Sequence, residues 1–229
     1  MLLIPVGAMA GDLTLHSGPE RVHLLELYTS EGCSSCPPAE ERVSGLQHDP
    51  GLWKAFVPVA FHVDYWDYLG WKDRFASATY TGRQQSYAAE WGGDSVYTPE
   101  FVLDGREYRG GGIPAVTEPG GDLTAGVDSS RTLSVKYEPA AASPPAKWRA
   151  YVAMLGMGLE SDVRGGENGG RRLRHDFVAL SLQTLELKGA ENSGSLELPP
   201  LKDGEKAIAV WVTRGDESTP VQAAGGWIR

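Results

Sequence analysis

The only two cysteines of this chain stand two residues apart, in the run Thr29-Ser30-Glu31-Gly32-Cys33-Ser34-Ser35-Cys36-Pro37-Pro38. The run follows an apolar stretch, His23 to Tyr28, that reads as a β-strand. Ala39–Gln47 comes next and has helical composition, with Glu40 and Glu41 suitably placed near a helix N-terminus. Thiols at this spacing close a small ring that opens and closes reversibly. The rest of the chain has to be arranged around that junction of strand, cysteine pair and helix.

A strand running into C-x-x-C at the head of a helix is the arrangement of thioredoxin-like redox sites. The following segments extend the pattern. Phe56–Val63 is a second apolar strand, Lys72 to Glu90 has helical character, and Tyr97–Leu103 and Arg106–Arg109 flank the hairpin signal Asp104-Gly105. The order β-α-β-α-β-β predicts an α/β thioredoxin-like domain, a mixed central sheet with flanking helices. A closing helix is expected around Ile113–Val127, interrupted by Pro119-Gly120-Gly121. After about residue 128 polar and apolar residues alternate in Arg131–Glu138, Trp148–Leu155, Leu159–Arg164, Leu173–Leu187, Gly194–Leu198, Lys206–Arg214 and Val221–Trp227. Gly- and Pro-rich turns separate these segments, including the loop Ala140 to Pro145, so a C-terminal all-β sandwich-like domain is expected. The division is then an N-terminal tail over 1–19, a thioredoxin-like domain over 20–127 with an aromatic insertion at 64–91, and a β-domain over 128–229.

Net charge is −9, and it is unevenly spread: residues 1–120 carry 8 Lys/Arg against 16 Asp/Glu, while residues 121–229 carry 13 against 14. An acidic half around the cysteines argues against nucleic acid or an anionic membrane as partner. Leu2 to Ala10 is a short apolar run ending in Ala8-Met9-Ala10, the small-x-small form of a signal-peptidase site. It reads as the end of an export signal, with an ordinary apolar tail as the alternative; the expected location is periplasmic or secreted. No stretch approaches the length that spans a bilayer, so no stable membrane insertion is expected.

Chemistry concentrates on a few residues. At a helix N-terminus the Cys33 thiolate would face backbone N–H groups and the positive end of the helix dipole, which makes Cys33 the attacking sulfur and Cys36 the resolver. Pro37 and Pro38 alter the helix entry because neither donates a backbone hydrogen bond. Thr98-Pro99 begins a strand, where a cis-proline would hold the client chain opposite the cysteines. Tyr97, Thr98, Glu31 and Trp66 are candidate client contacts. Glu26 lies seven residues before Cys33, either buried to take the resolving thiol's proton or at a strand edge reaching solvent. The redox-active pair itself needs no cofactor. The alternatives are a copper-binding protein using Cys33, Cys36 and His62, or a non-catalytic module whose disulfide only fixes a loop. The expected partners are client protein thiols or disulfides and an electron-transfer partner. Gly165 to Gly170 reads as a flexible hairpin tip, followed by Arg171-Arg172-Leu173-Arg174-His175, either a solvated strand face or a docking surface for the acidic half. The aromatic segment 64–91 is core or lid, or lines a groove for an extended client. No G-x-S-x-G elbow, zinc signature or P-loop is present, which sets aside those hydrolase and nucleotide-binding classes.

The run Leu25 to Glu40, the block His62-Val63-Asp64-Tyr65-Trp66-Asp67, the Tyr97-Thr98-Pro99 strand and the stretch Gly166-Glu167-Asn168 to Arg174-His175 resemble the bacterial secreted family catalogued as domain of unknown function 1223. The resemblance covers nearly the whole chain. It implies a thioredoxin-like domain with an appended β-rich region and an exported bacterial protein, without a settled activity. Compared with thioredoxin, no Trp precedes Cys33, a double proline follows Cys36, and the connection to Pro99 is long, which suggests a dedicated client.

Overall fold

A computed structural model describes residues 13–115, 118–141, 143, 146–200 and 204–228. The apolar run Leu2 to Ala10 and parts of the Ala140–Pro145 loop therefore lie outside the described residues. In chain order the strands and α-helices are β1 (Leu13–His16), β2 (His23–Thr29), α1 (Pro37–Gly45), β3 (Phe56–His62), α2 (Ala78–Glu90), β4 (Glu100–Leu103) and β5 (Arg106–Glu107). There follow β6 (Asp122–Val127), β7 (Thr132–Glu138), β8 (Trp148–Gly156), β9 (Leu159–Asp162), β10 (Arg172–His175), β11 (Val178–Leu187), β12 (Ser193–Glu197), β13 (Glu205–Arg214) and β14 (Pro220–Trp227). The elements over residues 23–107 thus come in the expected order.

The fold class does not. The chain is mostly β, with only two α-helices among the described residues, and it is not a helix-flanked thioredoxin α/β domain carrying a separate sandwich. One eight-stranded sheet, β14-β13-β8-β11-β3-β2-β4-β5, draws strands from both sides of residue 127. The physical reason lies at β3. Its seven residues are all buried, and a buried strand edge with unpaired N–H and C=O groups is costly. β11 closes that edge in parallel, with Val178 opposite Ala60 and the Ala60 N–H donating to the Phe177 carbonyl at 2.8 Å. β8, β13 and β14 extend the sheet in antiparallel fashion.

The expected closing helix at 113–127 is also absent. Its C-terminal half is β6, which pairs with β1 on one side and β7 on the other. Pro119 and a left-handed Gly121 (φ 78°) break any helix there. Beyond them Leu123 and Ala125 alternate inward, the period of a strand. The four-stranded sheet β1-β6-β7-β12 lies against one face of the large sheet. Between them pack Leu123, Leu133, Tyr137, Trp148, Val152 and Val210. The intervening residues Ala153, Leu155, Ala209 and Trp211 point the opposite way, into a second core with Tyr28, Phe61, Tyr80 and Tyr87. Strict alternation along β8 and β13 therefore serves two cores from one sheet.

Candidate functional site

β2 ends at Thr29, and the chain turns twice before α1: the Cys33 N–H donates to the Ser30 carbonyl at 3.1 Å and the Cys36 N–H to the Cys33 carbonyl at 3.2 Å. The two sulfurs are joined in a disulfide, with Cα atoms 5.5 Å apart. α1 starts only after Cys36, which is its N-cap residue, with Pro37 and Pro38 in the first two positions. Proline is at home there because those N–H groups have no helical partner. The consequence for the expected thiolate stabilisation is negative. The first available amides, of Ala39 and Glu40, both donate to the Cys36 carbonyl and leave no N–H from this turn for Cys33.

Both sulfurs are covered: Cys33 is 1% exposed and Cys36 fully buried, while Ser34 and Ser35 are exposed. The Gly165–Gly170 tip of the β9–β10 hairpin is fastened onto this loop, with Asn168 135 residues away in sequence from Cys33. Asn168, itself buried, donates its side-chain amide to the carbonyls of Glu31 and Cys33, each at 2.9 Å. Glu167 accepts the Ser34 N–H at 2.9 Å. The tip read as flexible is a clamp. In β10 behind it Leu173 and His175 are buried, while Arg172 and Arg174 face solvent.

Trp66 links the cysteine loop to the proline loop. A Cβ on Gly32 would stand 2.9 Å from the Trp66 Cβ, and the Trp66 indole N–H donates to Thr98 Oγ1 at 2.8 Å. Thr98-Pro99 is a cis peptide bond. Tyr97 is 43% exposed, and its hydroxyl donates to Glu107. A shallow depression of about 440 Å³ beside it is lined by Arg42, Tyr97, Pro99, Phe101, Tyr108 and Arg109. A larger cavity, about 830 Å³ and lined by residues of β1 and β14, shares no residue with this region. Because close approach dictates glycine at 32, Gly32→Ala is expected to cost about 1–3 kcal/mol of unfolding free energy by overpacking against Trp66. Urea denaturation checks this, and an unchanged midpoint would mean the loop gives way freely.

Glu26 is not at a solvent-reaching edge, nor is it beside the cysteines. It is fully buried, accepting from Arg83 Nε (2.7 Å) and Nη2 (3.0 Å), Tyr87 (2.6 Å) and Tyr28 (2.9 Å). Residues alternate along β2, so Glu26 and Tyr28 face α2, whereas Thr29 faces α1 and donates to Glu40 at 2.5 Å. Burial and then the Glu26 charge act on Arg83 in opposite directions. The charge wins and holds the guanidinium well above its ordinary value.

The carboxylates on the cysteine side are Glu31 and Glu40. Glu31, expected as a client contact, is fully buried. It accepts the Trp71 indole N–H at 2.6 Å, and one carboxylate oxygen meets His175 Nε2 at 3.2 Å. Glu40 lies one helical turn after Cys36 and meets His175 Nδ1 at 2.5 Å. Burial alone would lower the His175 pKa, but hydrogen bonds to Glu31 and Glu40 outweigh it and push it up to about 9. Burial would raise Glu40, and the His175 hydrogen bond and charge hold it below its ordinary value. His62 is fully buried with Nδ1 2.7 Å from Asp73. Burial likewise pushes Asp73 up, but the adjacent His62 charge brings it below its ordinary value. Among the described residues, the His, Cys, Asp and Glu groups close enough together to hold an ion are Glu40, His62 and His175. The copper set Cys33, Cys36 and His62 is not assembled. Sequence reasoning gave Glu40 only a helix-start role and put His175 in a basic run. Asn168 and Asp73 had no local signal beyond their polarity.

Two solved structures share this fold. A protein from Agrobacterium tumefaciens, determined by X-ray crystallography, superposes with a TM-score of 0.64 at 23% identity, covering 91% of this chain and 95% of that one. HBP35 of Porphyromonas gingivalis gives a TM-score of 0.56 at 15% identity, covering 92% of this chain and 76% of that one. No curated protein matches the sequence. The model of one family, described as a protein of unknown function (DUF1223), matches residues 24–213, and the chain belongs to that family.

Proposed function

We propose that the protein is a thiol–disulfide oxidoreductase acting on exported protein thiols, with Cys33 and Cys36 as the redox pair. The observation that carries this is the disulfide itself: the only two cysteines, three positions apart, bonded between a strand end and a helix start. Starting from the oxidised pair, a client thiolate attacks Cys33 Sγ, the Cys33–Cys36 bond breaks, and Cys36 leaves as thiolate and takes up a proton. A second client thiolate then attacks the mixed disulfide. The client leaves oxidised by two electrons and the protein holds two thiols, which an exported dithiol/disulfide partner reoxidises. Run backwards, the same steps reduce a client disulfide. Tyr97, Thr98 and the depression at Pro99 offer the client a surface tied to the cysteine loop through Trp66. Glu40, one turn below Cys36, replaces Glu26 as the carboxylate on the correct side. An intact disulfide fits an oxidising compartment, in keeping with export.

The burial of Cys33 favours a second reading, a non-catalytic module with a fixed disulfide. The reduction potential separates the two. Equilibration with glutathione buffers and thiol trapping is expected to give a value between about −120 and −270 mV, the span of exchange proteins. A value below about −300 mV with slow exchange would mark a structural bond and overturn the proposal. Cys36→Ser is expected to trap a mixed disulfide on Cys33, visible as a client-sized mass shift that dithiothreitol removes.

A further inference from the structure

Beside the cysteine loop three carboxylates and two imidazoles, all buried, converge. Glu40, His62 and His175 each present a donor atom, and these atoms all lie within 4.8 Å of one another. Exposure is 6% for Glu40, 0% for His62 and 1% for His175. The cluster is closed by Phe75, whose ring stands edge-on to both His62 and His175 at 5.3 and 5.5 Å.

His62 is the telling member. Its Nδ1 meets Asp73 Oδ2 at 2.7 Å, and the same carboxylate oxygen accepts the Glu31 N–H at 2.8 Å. A carboxylate oxygen accepts, so Nδ1 carries a proton, and in the neutral ring Nε2 is the atom free to ligate. That Nε2 is fully buried and, among the described residues, has no hydrogen-bond partner. A buried imidazole nitrogen with no protein partner calls for one, an ordered water or an ion. The charge balance points the same way. Three carboxylates, Glu31, Glu40 and Asp73, face two imidazoles in this buried cluster, so the acidic groups outnumber the basic ones even with both imidazoles protonated, an imbalance that a bound cation relieves.

We infer that Glu40, His62 and His175 bind a divalent transition-metal ion of the zinc class. Two imidazole nitrogens and a carboxylate oxygen form a donor set that suits zinc and its first-row neighbours, whereas calcium and magnesium take all-oxygen sites. Asp73 on His62 Nδ1 is the outer carboxylate that fixes the tautomer and orientation of a ligating histidine. Glu31 on His175 Nε2 plays the same part, leaving Nδ1 for the ion. The ion replaces the proton shared between His175 Nδ1 and Glu40, and that proton passes to solvent. The donors re-space to the roughly 3.4 Å that tetrahedral zinc ligands keep: His175 Nδ1 and Glu40 part from 2.5 Å, and the wider separations, none above 4.8 Å, close in. Neither cysteine takes part, and Glu40 is the one residue the site shares with the thiol-exchange proposal.

The test uses the full chain, oxidised, stripped with chelator and titrated with Zn²⁺ and Co²⁺ by calorimetry and visible absorption. One ion per chain is expected, with Co²⁺ giving the d–d bands of low coordination and Zn²⁺ displacing it. His62→Ala is expected to lower zinc affinity by at least about 100-fold, and Asp73→Asn by about 10–100-fold. The Cys33→Ser/Cys36→Ser variant should keep the wild-type affinity. Should His62→Ala fail to fold, by circular dichroism, X-ray absorption of the wild-type zinc complex decides. Imidazole scatterers without sulfur support the site. Sulfur ligation, loss of binding in the double cysteine variant, or no stoichiometric binding to the wild type would overturn it. Measuring the reduction potential on the stripped protein keeps a failure of the redox proposal separate from a failure of this one.

Discussion

Arg83→Met is expected to lower the unfolding free energy by about 3–5 kcal/mol, the cost of leaving a buried carboxylate without its counter-charge. Arg83 and Glu26 are both buried, and the pair is bidentate at 2.7 and 3.0 Å. The guanidinium also lies 5.1 Å from the ring centroids of both Tyr87 and Trp211, so its loss removes cation–π contacts as well. Methionine keeps the length of the side chain and fills much of its volume, which isolates the charge from a packing defect. Urea denaturation of the single variant and of Glu26→Gln/Arg83→Met measures the coupling. The double variant should recover part of the loss, because no lone carboxylate remains. A single-variant loss below about 1 kcal/mol would mean water reaches Glu26 and the pair is no more than a surface one. In the same set, Glu26→Gln should leave the reduction potential of the cysteine pair unchanged, since Glu26 projects from the opposite face of β2.

Asn168→Ala is expected to speed reduction of the Cys33–Cys36 bond by dithiothreitol about 30-fold. The side chain holds two backbone carbonyls of the cysteine loop, and two hydrogen bonds at a net of roughly 1 kcal/mol each convert to that change in the open population. The factor appears in full only if opening of the hairpin tip limits access to the buried sulfurs. An unchanged rate, with the fold intact by circular dichroism, would mean that a small thiol reaches Cys33 without moving the tip. A protein client needs more room than dithiothreitol, so the same variant should also accelerate exchange with a protein thiol. The hairpin belongs to the half of the chain that carries no cysteine.

Much of the local structure was legible. His23–Tyr28 and Phe56–Val63 are apolar runs of strand length, and both are strands. Asp104-Gly105 sits between two strands with φ of 48° and 78°, the left-handed pair that a two-residue hairpin turn needs. Alternation after residue 128 marks strands β7 to β14. The long stretch Leu173–Leu187 is cut in two at Asp176-Phe177, where Phe177 takes a left-handed φ of 58°. The expected helix at 113–127 failed because β6 is defined by partners far away in sequence, β1 and β7, and not by its own weak helical composition. Glu26 was correctly singled out as an anomaly, yet its partner, Arg83 on α2, was not. Position seven before Cys33 says nothing about which face of the sheet the side chain takes until the strand is set.

The sequence by itself determined the chemistry available at the cysteine loop and the secondary structure on either side of it. Local propensity, hydrophobic period and proline geometry act within a few residues, and that information is written in the run from Leu25 to Glu40. Only the tertiary structure decided what surrounds the pair. Glu40 meets His175 across 135 positions, His62 finds Asp73 at the far end of an irregular segment, and Asn168 closes over Cys33. Those contacts follow from the need to cover the buried edge of β3. Once β11 pairs there, the chain just before it, β10 and the hairpin tip, is carried onto the cysteine loop. Hydrogen bonding along a strand edge, which has no sequence period of its own, thereby set the electrostatics and the access of the site.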